Sequence, residues 1–250
     1  MHDMTQQRIA FGMEKIAFAK RLNEGECGGY YGDGILILSA LLSGLAADLW
    51  PGKGKDRNRF VEIWALYADP KLNPNRISVP LLLAALDEDE KHELKQKVRN
   101  TNPKAFPPWN MDHLVVKGED VDKTEADLIA LDSRLADKKL RQFSYGSVFY
   151  DHVRSGYTHE YHTTESAMSF PMADDTLSVS YVNMGNLGPR LIYYDFAWVA
   201  EVVESVVKRP RGWLEANPFQ IPSPGGSRAS FFLRGPAALS FREDPFSEAR

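Results

Sequence analysis

The chain has 250 residues, of which 43% are apolar and 26% charged, and its formal net charge is −4. This length and apolar content are sufficient for a sizeable hydrophobic core, and the composition is that of a soluble globular protein. The slightly acidic charge excludes a strong overall attraction to nucleic acid or to anionic membranes, so any contact with RNA must come from a local patch. The single cysteine, Cys27, excludes an internal disulfide and is typical of a reducing compartment.

The N-terminal part of the sequence predicts two helices. Apolar residues recur at steps of three and four over 5–22, and the nearly all-apolar run 35–49 predicts a buried central helix with Asp33 as its N-cap. That run has about 15 residues, too few to span a bilayer comfortably, and the N-terminus lacks the pattern of a signal peptide. We therefore predict a cytoplasmic protein without a membrane segment.

Further helices are predicted at 57–68, with Asp56 as cap, and at 77–86, which continues into a charged helical extension. The preceding WPGKGKD run lacks the spacing and the Ser or Thr of a phosphate-binding P-loop, and we interpret it as a turn between helices. The proline-rich segment 101–118, which includes His113, is predicted to be a loop. Helical periodicity resumes at 124–140.

The C-terminal part combines strands, a helix and a tail. Residues 177–182 and 190–195 flank the turn MGNLGP and predict a β-hairpin, which a helix at 197–207 follows. From residue 217 onward Pro, Gly and Ser dominate, which predicts an irregular extension whose apolar SFFL segment could dock onto the body. The predicted fold class is mainly α, a single helical domain over 1–216 with a small β-hairpin and an irregular C-terminal tail over 217–250.

The densest group of polar and titratable side chains lies at 150–162, with the sequence YDHVRSGYTHEYH. It holds three of the six histidines together with one arginine and three tyrosines. Buried polar groups are costly unless they are satisfied, so such a cluster in a helical segment indicates either a hydrogen-bond network or a functional site.

Four residues separate Arg154 from His159, and the sequence continues as HEY. This pattern resembles the R-x4-6-H motif of HEPN-type proteins, small helical domains found in many bacterial toxins and RNA-cleaving effectors. The resemblance covers about 124–216, which would form the HEPN-like core, although Ser155 stands where Asn, Asp or His commonly follows the arginine. It implies metal-independent RNA cleavage without a cofactor, with His159 as general base for the ribose 2′-OH and Arg154 stabilising the phosphate charge. It also implies a homodimer and a toxin-antitoxin or defence setting with an antitoxin or regulatory protein as partner.

One difficulty follows from helix geometry. A step of five residues separates the Arg154 and His159 side chains by about 140° around a regular helix. They would share a pocket only if the helix ends or distorts, for which Gly156 is a candidate, or if a second subunit completes the site. The predicted supporting or substrate-binding residues are His152, Ser155, Tyr157, Glu160 and His162.

Three alternatives remain open. The same pocket could bind RNA, a nucleotide or a partner protein without catalysis. The cluster could be structural, with Arg154 paired to Asp151 or Glu160 and the histidines hydrogen-bonded inside the bundle. His159, Glu160 and His162 could also hold a metal, although HEYH does not match the H-E-x-x-H spacing of zinc proteases. The best RNA-contact candidate outside the motif is the basic patch of Lys208, Arg209 and Arg211.

Overall fold

A computed structural model of the chain describes residues 2–107, 115–169, 179–182 and 191–209, without the side chains of residues 2–5. Over these ranges the chain is mainly helical and carries a small antiparallel sheet, which confirms the predicted class in its coarse form. His113, the hairpin turn at 184–189, Arg211 and the tail 217–250 lie outside the described residues.

Ten helices occur in the described ranges. In chain order they are α1 (His2–Asn23), α2 (Tyr31–Leu49), α3 (Asp56–Tyr67), α4 (Val79–Ala84), α5 (Glu88–Thr101), α6 (Gly118–Val121), α7 (Glu125–Leu131), α8 (Tyr145–Val148), α9 (Ser155–Glu160) and α10 (Phe196–Lys208). A π-helical segment, Phe149–Arg154, joins α8 to α9. Short 3-10 turns lie at Glu26–Gly28, Pro70–Leu72, Ser133–Asp137 and Leu140–Phe143.

Helix α2 is the buried central helix that the sequence predicted. Its inward face, which includes Ile35, Leu38 and Leu42, is inaccessible to solvent and packs against α1, α3 and α10. The helix begins at Tyr31, and the carboxylate of Asp33 accepts a hydrogen bond from the backbone N–H of Tyr30 at 3.0 Å. Asp33 is therefore the third residue of the helix, in a capping box, and its assignment as N-cap was wrong.

Because α2 is longer than predicted, its length does not argue against a membrane segment. It has 19 residues and is the one helix of the described chain that is long and apolar enough, by length and composition alone, to cross a bilayer. Its packing between three other helices is what identifies it as the core helix of a folded domain.

Two helix starts differ from the prediction. Asp56 is the first residue of α3 and not its cap, a position that Lys55 occupies. The helix predicted to run on from 77–86 ends at Ala84, and Asp87 starts a new one by accepting a hydrogen bond from the Glu90 N–H at 2.9 Å. The first backbone N–H groups of a new helix have no partner within it, and the carboxylate of Asp87 accepts one of them. This cap stabilises a separate helix start, so α4 and α5 do not form one continuous helix.

The sheet contains one strand more than predicted. Strands β2 (Val179–Val182) and β3 (Leu191–Tyr194) form the predicted antiparallel hairpin, with Tyr181 opposite Ile192. Strand β1 (Val115–Lys117) pairs antiparallel with β2 on its other side, so the prediction of a loop throughout 101–118 was wrong. The helix predicted over 124–140 is limited to α7, and 3-10 turns follow it.

A buried carboxylate connects the sheet to the helices. Asp122, at the end of α6, is only 1% exposed and accepts hydrogen bonds from the hydroxyls of Tyr145 and Tyr181, each at 2.6 Å. Its other oxygen accepts the backbone N–H of Val79 at 2.9 Å, and the Tyr181 hydroxyl also lies 2.8 Å from the Ser78 hydroxyl. Burial raises the pKa of Asp122 to about 7 in spite of these donors.

This shift predicts a pH dependence of stability. The pKa of Asp122 is about 7 in the folded state against an ordinary value of 3.8, so between these values the folded protein holds a proton that the unfolded chain releases. The contribution of Asp122 to the free energy of unfolding is therefore fully present below pH 3.8 and is lost as the pH rises to 7. The total loss is at most about 4 kcal/mol.

The measurement is urea unfolding between pH 5 and pH 8 for the natural protein and for Asp122→Asn, which cannot titrate at this position. Burial lowers the pKa of His152, so His152 alone would make the free energy of unfolding rise with pH. Both proteins contain His152, so the difference between their free energies of unfolding reports on Asp122. The prediction would be contradicted if the free energies of unfolding of the natural protein and of Asp122→Asn differed by the same amount at every pH.

Candidate functional site

The cluster predicted from the sequence lies on one continuous helical run, formed by α8, the π-helical segment and α9. Aromatic packing fixes this run to the core, because the ring of Phe149 lies 5.0 Å from that of Trp64 and 6.2 Å from that of Phe60, centroid to centroid. The π-helical turn widens the helix around Arg154, a distortion that is frequent at functional sites.

The distortion precedes Gly156 and does not occur at it. Gly156 is a buried residue of regular α9, and a Cβ atom there would lie 2.4 Å from the carbonyl oxygen of His162. The helix ends at Tyr161, which adopts the left-handed conformation at φ 61° and turns the chain back over Gly156. The glycine is therefore required for close approach of the returning chain, and its predicted role as the point of distortion was wrong.

Arg154 is half-buried and packs on an aromatic ring four residues earlier. Its guanidinium carbon lies 4.8 Å from the ring centroid of Tyr150, and its Nη1 lies 3.5 Å from the hydroxyl oxygen of that residue. Within the described ranges no carboxylate pairs with Arg154, so the pairing considered with Asp151 or Glu160 does not occur. A cation held on a ring and not neutralised is available to an anionic ligand.

Asp151 instead binds Arg57 of α3. Arg57 donates from Nε at 2.8 Å and from Nη2 at 2.6 Å to the two carboxylate oxygens, and this hydrogen-bonded pairing raises the pKa of Arg57. The ring of Tyr150, on which Arg154 packs, lies edge-on to Phe60 at 5.2 Å, and Phe60 stands on the same helix as Arg57.

Arg57 was not predicted from the sequence to belong to this site. The available signal was the basic run KGKDRNR at 53–59, a pattern that on its own favours only a turn and a helix start. Lys53 is exposed and Lys55 half-buried, so this run adds positive charge beside the helix that carries Arg154.

His152 has a structural contact. Its Nδ1 lies 2.8 Å from the Thr164 hydroxyl, and its backbone carbonyl accepts the Thr164 N–H at 3.0 Å. Burial lowers the pKa of His152, which favours the neutral imidazole. His152 therefore attaches the returning chain to the helix, as the structural alternative predicted for this histidine.

The other predicted site residues occupy two environments. Tyr157 is buried, with its ring 6.2 Å from that of Tyr31, whereas His159, Glu160 and His162 are exposed at the end of α9. Nε2 of His162 lies 3.4 Å from a carboxylate oxygen of Glu160. Ser155 is half-buried on the first turn of α9.

Arg154 and His159 are not hydrogen-bonded to each other within one chain. Arg154 ends the π-helical segment with helical dihedral angles and His159 lies in regular α9, so their directions remain offset by about 140°. In the part of the chain that the structure describes, no three His, Cys, Asp or Glu side chains are grouped so that they could hold a metal ion. Outside the motif, Lys208 contacts Glu204 at 2.5 Å, which reduces its value as a phosphate contact.

The chain matches no family model, no curated protein and no solved structure. Its function is therefore inferred from the geometry of this helix and its neighbours.

Proposed function

We propose that the protein is a cytoplasmic, metal-independent endoribonuclease of HEPN type that acts as a homodimer. The observation that carries the proposal is the position of Arg154, half-buried on the ring of Tyr150 and without a carboxylate partner in the described ranges. Arg57 is neutralised by Asp151. Lys53 and Lys55, just before α3, supply further positive charge for an RNA backbone, in a protein whose overall charge is negative.

The proposed reaction needs a general base and a cationic group that stabilises the phosphate. His159 accepts the proton of a ribose 2′-OH, and the freed oxygen attacks the adjacent phosphorus. The bond to the 5′-oxygen breaks as that oxygen takes a proton from the protonated His159 of the second protomer, giving a 2′,3′-cyclic phosphate and a 5′-OH end. Arg154 stabilises the additional negative charge on the phosphate oxygens in the transition state. Since the two residues diverge within one chain, His159 of one protomer would act beside Arg154 of its partner across a two-fold axis.

A non-catalytic module that binds RNA, a nucleotide or a partner protein such as an antitoxin is the second candidate. The observation in its favour is the divergence of Arg154 and His159, because a phosphate bound at Arg154 of a monomer has no general base beside it. Guanidinium recognition of phosphate does not require one.

The deciding experiment measures cleavage of a fluorescent single-stranded RNA in EDTA. We expect the natural protein to cleave, and Arg154→Ala and His159→Ala each to reduce the rate by about 100-fold or more. The matched controls are Arg21→Ala and His92→Ala, which remove an exposed arginine and an exposed histidine from other helices and should leave the rate unchanged.

Three results separate the candidates. Cleavage that survives in His159→Ala, or that EDTA abolishes, would contradict the nuclease mechanism. RNA binding without turnover that Arg154→Ala weakens would establish the second candidate. Binding that is unchanged in Arg154→Ala would contradict both, because both place the phosphate on this guanidinium.

A further inference from the structure

A separate cleft lies on the side of the fold where α2 and α10 begin. It has a volume of about 770 Å³ and is formed by the end of α1, the loop that follows it, the first residues of α2, the end of β3 and the first residues of α10. This volume is sufficient for a small organic ligand. Neither Arg154 nor His159 lines the cleft, so it is distinct from the proposed RNA site.

Aromatic rings form much of the cleft wall. Tyr31, Tyr193 and Phe196 line it, and the ring of Tyr31 lies 5.8 Å from that of Tyr193 and 6.3 Å from that of Phe196. Tyr30 lies at the cleft as well and is 42% exposed. The faces of aromatic rings carry partial negative charge, and a group of such faces attracts a cation.

A carboxylate without a cationic partner lies beside these rings. Asp195 is half-buried, accepts the Trp198 N–H at 3.0 Å as the N-cap of α10, and has its pKa raised by burial. Burial raises the pKa of Tyr31 and of Tyr193, and the negative charge of Asp195 adds to both increases. No Lys, Arg or His pairs with Asp195 in the described ranges.

The one lysine of the cleft wall, Lys20, pairs with a glutamate outside the wall and not with Asp195. Nζ of Lys20 lies 3.6 Å from a carboxylate oxygen of Glu204 on α10, and Glu204 also holds Lys208. Glu24 adds a second acidic group to the wall. The cleft therefore combines aromatic faces with a net negative charge.

We propose that this cleft binds a small organic ammonium ion, with the cation against Asp195 and the rings of Tyr31, Tyr193 and Phe196. The carboxylate of Asp195, which no cationic side chain in the described ranges neutralises, supplies the opposite charge. The rings supply cation–π attraction. A ligand of this class would be held by its positive charge, unlike the phosphate ligand proposed for Arg154.

Calorimetric titration with choline tests the proposal. The comparison ligand is its neutral isostere, in which a tert-butyl group replaces the trimethylammonium group, so that shape is kept and charge is removed. We expect choline to bind the full-length protein roughly ten-fold more tightly than the isostere. Ethanolamine tests whether a primary ammonium is also accepted, and weaker binding than choline is expected, because it presents less surface to the rings.

The matched variants are Asp195→Asn and Asp87→Asn. Asparagine can still cap a helix, so the first removes the charge and retains the cap, and the second makes the same change at the start of α5, away from the cleft. We expect Asp195→Asn to weaken choline binding by roughly ten-fold and Asp87→Asn to leave it unchanged. Equal binding of choline and its isostere, no choline binding, or an unchanged affinity in a folded Asp195→Asn protein would overturn the proposal. RNA cleavage by Asp195→Asn should be unaffected, which separates this test from that of the nuclease.

Discussion

Asp122→Ala is expected to lower the free energy of unfolding by about 3 to 5 kcal/mol, because it leaves several buried donors without an acceptor. The hydroxyl of Tyr145 and the backbone N–H of Val79 lose the partner that the structure gives them, and the Tyr181 hydroxyl keeps only Ser78. Bulk water does not reach the two hydroxyls, since Tyr145 and Tyr181 are 3% and 0% exposed. Urea unfolding followed by circular dichroism gives the measurement.

Glu119→Ala is the matched control for this prediction. Glu119 lies on the same short helix, three residues before Asp122, but its side chain is exposed, so its removal should change stability by no more than about 0.5 kcal/mol. If Asp122→Ala also changed stability by so little, the network would not be the link between sheet and helices that we infer.

Gly156→Ala is expected to destabilise the protein by about 1 to 3 kcal/mol. Helix propensity alone favours alanine over glycine by about 1 kcal/mol and would make Gly156→Ala stabilising, so the expected change has the opposite sign. The reason is steric: the added Cβ would lie 2.4 Å from the backbone oxygen of His162 and 3.1 Å from the backbone nitrogen of Thr164, neither of which can rotate away. Displacement of this chain should also break the contact between Thr164 and His152.

The same substitution at Gly44 provides the control. Gly44 lies in α2, and a Cβ atom added there would have no neighbouring atom within 4 Å, so Gly44→Ala should raise stability by about 0.5 to 1 kcal/mol. The two variants therefore should move the unfolding midpoint in opposite directions. A stabilising effect of Gly156→Ala would show that the returning chain is not packed on the helix as described.

The sequence was most informative where apolar periodicity extends over many residues. The central helix α2, the helix α3 and the hairpin β2–β3 were all predicted, because each carries a long or strongly alternating apolar pattern. Strand β1 was missed because three residues are too few for an alternation to be recognised. The break between α4 and α5 was missed because Asp87, which caps α5, stands in a run of charged residues that all favour a helix.

The candidate site was predictable only within one segment. The unusual density of polar residues marked the helix that carries Arg154, but the partner of Asp151 lies 94 residues earlier in the chain. Only tertiary packing brings Arg57 there, and a single sequence carries no signal of that pairing. The burial of Tyr157 was likewise unpredictable, because the sequence does not show which face of the helix meets Tyr31.

The hydrogen bonds of Asp122 also constrain the order in which a growing chain can fold. Its partners Val79, Tyr145 and Tyr181 are 43, 23 and 59 residues away, and two of them are synthesised after it. In a nascent chain that has left the ribosome only as far as α7, Asp122 can bind the Val79 N–H but neither tyrosine hydroxyl. The buried network can therefore close only after the strand that carries Tyr181 has been synthesised, and because the residues in this contact are far apart in sequence we expect it to form late in folding.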